Sequence, residues 1–328
     1  MSEFCPKAWA AICELCGGAD RIDTGTQPIP GVGGKSEDIA MAVISDAFIV
    51  NVGSKEDAAK WAEASSASSH AQGESVDADG LTPAQQKLLD PHDRTNWHVD
   101  GDFFHHFLDS KEQALLPIVL FSDIAPGGGG TMICPEAIPS MAKHLYGHPE
   151  GLMPDMSTSD DAARKAAGLE PYEKFSTGFY DGVVRQVEKS AFRTATGRAG
   201  DVYLLHPLMV HSAAPNYLRG ETGHCDFSAR RELMSFRPEP RIITNPPVAL
   251  REPFNFDRQD GSAYSLVEQK TLRSLGQPEG LSGWKISGER KLIVPERVKR
   301  QALMKKIGEP TPVKAESVHG AKGVAVAA

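Results

Sequence analysis

The fold class this sequence predicts is mainly β with flanking helices: an antiparallel barrel or a double-sheet jelly roll. Many short strand-like runs are separated by Gly/Pro turns, and helical patterns gather mostly toward the ends of the chain. A length of 328 residues is enough for one large domain with a sizeable core. No internal repeat is visible. The expected organisation is one domain over residues 1–307, with an N-terminal helical and strand elaboration, and a disordered tail over 308–328.

In chain order, Lys7 to Cys16 is an Ala-containing helix closed by Gly17-Gly18. It holds a lone Cys13-x-x-Cys16, which reads as core packing because a zinc site needs a second pair. Residues 25–35 form a turn-rich loop, and 41–50 two extended pieces. Ser54 caps a helix from Lys55 to about Ala64, with Glu56 and Asp57 at its positive end. A Ser/Ala/Gly/Asp loop follows to Asp79, and Thr82-Pro83 starts a short helix. Leu115 to Ile124 has the near-continuous apolar character of a doubly buried strand. Gly127 to Gly130 is a tight loop, Thr131 to Cys134 a strand, Pro135 to Tyr146 a helix and Thr158 to Ala167 another. Arg185 to Thr194 reads as a strand or edge. Strands follow at Val202 to Leu205, Met209 to Ser212, Glu232 to Phe236 and Arg241 to Thr244. Ser265 to Leu275 is a helix closed by Gly276, and a last helix runs from Glu296 to Ile307.

The net charge of -8 argues against a nucleic-acid binder relying on a basic face. Lys299-Arg300 and Lys305-Lys306 read as the solvated face of the last helix. No apolar run is long enough to span a membrane, and the start lacks a secretory pattern. Five cysteines without framework spacing fit a reducing compartment, so the expected location is the cytoplasm, with free thiols.

The chemistry concentrates in Trp97-His98-Val99-Asp100-Gly101-Asp102. In an extended strand, His98 and Asp100 point to one face. An imidazole and a carboxylate are two parts of a divalent-metal site, and a later histidine must supply the third. His144, His206 and His211 are the candidates, and His211 is preferred. Two histidines and one carboxylate with open positions form the facial triad of non-haem iron(II) oxygenases. A 2-oxoglutarate co-substrate needs a cation for its far carboxylate, best a forked guanidinium. Arg241 opens a short apolar strand and is the first candidate; Arg230 is its rival.

Four stretches, WHVDGDFFHHFLDS (97–110), GGGGTMI (127–133), GDVYLLHPLMVHSAAPN (200–216) and RIITNPPVALREPFNF (241–256), resemble iron(II)/2-oxoglutarate dioxygenases of the phytanoyl-CoA hydroxylase-like family, especially its compact fungal and bacterial branch. The resemblance implies a double-stranded β-helix, iron ligands His98, Asp100 and His211, and Arg241 gripping 2-oxoglutarate. It implies Thr131 beside that co-substrate and His206 as packing near the ligand. Arg241 lies farther past His211 than is usual for the family. An insertion between Asn216 and Arg241 accounts for this; without one, Arg230 or Arg231 takes the role. The implied reaction consumes 2-oxoglutarate and O2, releases succinate and CO2, and oxidises an unactivated C–H bond by hydroxylation, desaturation or ring closure. The implied substrate is a small molecule of specialised metabolism, an amino acid being one example. If the strand carrying His98 continues, Asp102, Phe104 and His106 share the ligand face, and Phe103 and His105 lie near the pocket mouth. Two rival readings use the same residues: a zinc or manganese hydrolase with three ligands plus water, and a non-catalytic barrel that binds a small ligand.

Overall fold

The computed structural model describes residues 5–24, 27–28, 40–41, 48–67, 76–77, 79–158, 178–218 and 240–293. The expected helices at 158–167 and 296–307, the strand at 232–236, most of the loops at 25–35 and 65–79, Arg230, Arg231 and the tail from 308 lie outside these residues, apart from Thr158 itself, which is described.

Antiparallel sheets with flanking helices make up the described fold. A two-residue ladder joins β1 (Gln27–Pro28) to β2 (Ala40–Met41). The first large sheet contains β3 (Ile49–Asn51), β4 (Leu116–Leu120), β7 (Val202–Leu205) and β9 (Arg241–Thr244), in the order β3-β9-β4-β7. The second contains β5 (Thr131–Cys134), β6 (Arg193–Ala195) and β8 (Val210–Ala213), in the order β6-β5-β8. On the free side of β8, His98 and His211 exchange both backbone hydrogen bonds, at 3.0 and 2.9 Å. The His98 segment thus extends the second sheet by one short rung. From β3 onward the chain contributes β3 and β4 to the first sheet and β5 and β6 to the second, and then alternates between the two with β7, β8 and β9.

The sequence explains these strands. Leu116, Ile118 and Leu120 are each at most 2% exposed, and one apolar cluster joins them to Met132 and Ile133 of β5, Val210 of β8 and Ile243 of β9. The core therefore runs through both large sheets, and register is held wherever a slip would turn a buried row toward water.

The helices are α1 (Pro6–Cys16), α2 (Lys55–Ala67), α3 (Pro83–Leu88), α4 (Ile138–Tyr146), α5 (Gly178–Val184) and α6 (Leu266–Leu275). In α4 the buried residues Ile138, Met141, Ala142 and Leu145 recur at helical spacing and form one apolar stripe. α4 and α1 pack against α6. Thr82 and Ser265 each begin a capping box, and Gly276 closes α6 in the left-handed conformation, with φ 72°. Cys16 lies in the core, where burial pushes its thiol up to about 12. That fits the packing role read for the cysteine pair.

Three expectations need correction. The strand expected at 185–194 is confined to β6; the preceding residues close α5 and form a short 3₁₀ turn at Lys189–Ala191. The doubly buried strand ends at Leu120, because Phe121 and Ser122 bend and Ser122 Oγ accepts the Ile242 N–H at 2.9 Å. The strand expected to carry His98 and Asp100 is a single bridge at His98. Its flanks are irregular: Asn96 has φ 61° and Gly101 has φ 118°. No helix among the described residues is long and apolar enough to cross a membrane.

Candidate metal centre

His211 is held by β8 and His98 by its bridge to the same residue. Two remote segments are therefore locked side by side before any side chain is considered. Their imidazole centroids lie 4.4 Å apart. Asp100 follows on the irregular turn and places Oδ1 at 3.3 Å from His98 Nε2 and 3.4 Å from His211 Nε2. One donor atom from each residue falls within 4.8 Å of the others.

The outer edges of both rings fix which nitrogen faces inward. His98 Nδ1–H donates to the Asn96 carbonyl at 2.7 Å, and His211 Nδ1–H donates to the Met209 carbonyl at 3.0 Å. A carbonyl can only accept, so Nδ1 carries the proton and each Nε2 keeps a lone pair for a metal. Burial by itself would raise the Asp100 pKa, but with protons on the two facing Nε2 atoms the imidazoles outweigh it and hold the carboxyl well below the usual carboxylate range; a divalent cation would take the place of those protons. The side chains of His98, Asp100 and His211 are 25%, 17% and 7% exposed, so the group is recessed but reachable.

Two neutral nitrogens and one anionic oxygen suit iron, zinc or manganese. Neighbouring ligands of a six-coordinate ion with bonds of about 2.1 Å stand about 3 Å apart. The two Asp100 distances are close to that spacing, and the donor set fits a single divalent ion.

Asn245, which sequence reasoning did not single out, joins this group: its Nδ2 donates to Asp100 Oδ2 at 2.7 Å. It directly follows β9, the strand that begins at Arg241. Arg241 is 3% exposed, and its Nε has no hydrogen-bond partner among the described residues. Burial pulls the guanidinium below its ordinary pKa. A buried guanidinium with a nitrogen left over in this way fits an anion supplied from outside the chain. Thr131 pairs with Ala213, and Ile133 with His211, across β5 and β8. Directly paired residues project from the same face, so Thr131 shares a face with His211 two residues along.

The remaining histidines separate cleanly from the group. His206 is packed against α6: its Nδ1 accepts from the Leu208 N–H at 3.1 Å, and its Nε2 lies 3.1 Å from Thr271 Oγ1. Burial pushes its pKa down to about 4, so it stays neutral. His144 lies in another region, stacked on Phe179 with its Nε2–H donating to the Met156 carbonyl. The alternation expected to bring Phe104 and His106 onto the ligand face stops at Gly101. A Cβ at Gly101 would lie 2.6 Å from the Phe104 ring and 2.8 Å from the His106 ring, which only glycine avoids. His106 is buried and donates from Nε2 to the Gly101 carbonyl at 2.8 Å. Val210 projects from the opposite face of β8 to His211 and pairs with Cys134.

A cavity of about 20 Å³ adjoins Asp100 and is lined by Phe104, His106, Gln113, Leu208 and Phe254 among others. It has room for one water and none for an organic acid. The larger groove, about 400 Å³, carries none of the three metal-site residues.

His206→Ala is expected to lower stability by about 1–3 kcal/mol through lost packing and hydrogen bonds. Metal stoichiometry should stay at the unmodified value; thermal melting with elemental analysis checks both.

No protein-family model matches the chain, and no curated protein does. Among solved structures, the chain is similar to the crystal structure of EctD from S. alaskensis with bound Fe. That match has 14% identity and a TM-score of 0.23, and covers 80% of this chain and 94% of the other. A likeness this slight decides neither fold nor chemistry.

Proposed function

We propose that the chain is a non-haem iron(II)/2-oxoglutarate-dependent oxygenase built on a double-stranded β-helix. Its substrate on this reading is a small molecule of specialised metabolism, an amino acid being one example. The observation that carries the reading is the convergence of His98 Nε2, Asp100 Oδ1 and His211 Nε2, with both outer imidazole nitrogens already bonded. The strand orders β3-β9-β4-β7 and β6-β5-β8, with the His98 rung on the second, support the fold. The substrate class rests on the motif resemblance.

Ferrous iron, with 2-oxoglutarate and O2, supplies the oxidant for an unactivated C–H bond. The chain's own residues do the rest. His98, Asp100 and His211 hold the ion from one side and leave positions for exogenous ligands. Arg241 binds the distal carboxylate of 2-oxoglutarate, and Thr131 offers a hydroxyl from the ligand face. No side chain is needed as a general base. The buried Arg241, whose Nε has no hydrogen-bond partner among the described residues, favours this reading over a zinc or manganese hydrolase, which has no use for a cation there.

Succinate formation from 2-oxoglutarate under air is expected only with ferrous iron. Succinate formation that does not need iron, or none at all beside zinc-dependent hydrolysis, would replace the proposal by the hydrolase. Arg241→Ala should keep the metal while weakening 2-oxoglutarate by about 2–5 kcal/mol, roughly 30-fold or more in half-saturation. Unchanged half-saturation there, with a large loss in Arg230→Ala, would move the clamp to Arg230.

A further inference from the structure

The geometry points to Asn245 as a positioning residue that holds Asp100 to one-oxygen ligation of the metal. This inference rests on the metal reading above. Asp100 has two carboxylate oxygens and they are used differently. Oδ1 faces His98 Nε2 and His211 Nε2 at 3.3 and 3.4 Å, whereas Oδ2 accepts from Asn245 Nδ2 at 2.7 Å. A carboxylate only accepts, so the amide must present its NH2 to it.

A carboxylate free to rotate can chelate one ion through both oxygens and occupy two positions. With Oδ2 engaged by Asn245, Asp100 occupies one, and the position saved is available to a second, exogenous ligand. The need for such a tether is local. Asp100 sits on a turn outside regular strand, so no ladder orients it, unlike His211 on β8. His98 and His211 are each fixed through Nδ1, and the Asn245 amide is the corresponding fixture for the carboxylate. β9 also links the two ends of the site. Its first residue is the buried Arg241, and Asn245 follows its last. A shift of this one strand would disturb the acid clamp and the metal carboxylate together.

The test uses the full chain stripped of metal and titrated with Co(II), a spectroscopic stand-in for iron. Asn245→Ala and Asn245→Leu are compared with the unmodified chain; the leucine keeps side-chain volume and removes the donor. Both variants should melt near the unmodified temperature when metal-free, bind Co(II) roughly 10- to 100-fold more weakly, and show an altered Co(II) ligand-field spectrum as Asp100 changes its mode of ligation. If Asn245→Ala fails to fold, Asn245→Leu carries the same test. Unmodified Co(II) affinity and spectrum in a folded variant would overturn the role of Asn245 and leave the metal site standing. An unmodified chain that takes up no Co(II) would overturn the metal reading itself, and this role with it.

Discussion

His211→Ala is expected to abolish turnover and to weaken metal binding by well over the roughly 100-fold that loss of a supporting contact can cost. The expectation has two parts. The imidazole supplies one of three donors, and its Nε2 lies 3.4 Å from Asp100 Oδ1. Its backbone also exchanges two hydrogen bonds with His98, and alanine keeps those. The variant should therefore fold with the His98 and Asp100 segment in place and still fail to hold the ion. Circular dichroism and melting temperature report the fold, and elemental analysis reports the metal. The comparison with His206→Ala identifies the ligand: equal metal loss in both variants would mean that the third donor has been misassigned.

The second large effect concerns stability. Glu268 is fully buried and gathers the chain around the start of α6. Arg21 reaches its two oxygens at 3.0 and 3.1 Å, and Arg258 Nη2 lies 2.8 Å from both. The Ser265 N–H donates to it at 2.7 Å and the Asn255 N–H at 3.1 Å. Burial would raise its pKa, but these donors outweigh that and bring it to about 2, against an ordinary 4.5. Glu268→Ala strands two guanidinium groups and should cost about 3–5 kcal/mol, on the order of 10 °C in Tm.

The pH dependence follows from the sign of the shift. A carboxylate with a lowered folded pKa stabilises fully above its unfolded value, here near 4.5, and loses that contribution as pH falls toward 2. The stability gap between the unmodified chain and Glu268→Gln should be widest near neutrality and narrow steadily below about pH 4.5. Urea midpoints across that range measure it; a gap independent of pH would mean that the charge is not what Glu268 contributes.

Much of this architecture is legible in the sequence where local chemistry and burial agree. α6 announces itself by Ser265 at its start, Glu268 three residues on, and Gly276 at its end. β5, β7, β8 and β9 fall on short apolar runs beside turn residues. His98 and Asp100 are legible because few pairings of residue types at that spacing hold a metal. The regular strand expected around them was wrong, and Gly101 was the available warning: its positive φ ends the strand alternation, and Phe104 and His106 reach the small cavity beside Asp100 from an irregular segment instead.

Other features were hidden for physical reasons. α5 begins on Gly178 and ends on Val183-Val184, residues whose preferences point away from helix, and its contacts decide the outcome. Tyr180 and Val184 are fully buried on one side of it, and the Tyr180 hydroxyl donates to the Pro154 carbonyl at 2.6 Å. Asn245 followed by prolines reads as a turn residue, and nothing local tells that its partner is Asp100. A side-chain contact between distant segments leaves no periodic trace in one sequence.

Anaerobic addition of ferrous iron and then 2-oxoglutarate to the metal-free chain tests the central claim most directly. The expected result is a visible charge-transfer band, as a 2-oxo acid chelated to ferrous iron gives, saturating at one iron and one 2-oxoglutarate per chain and absent from His211→Ala. No band in the unmodified chain, or the same band in His211→Ala, would contradict it.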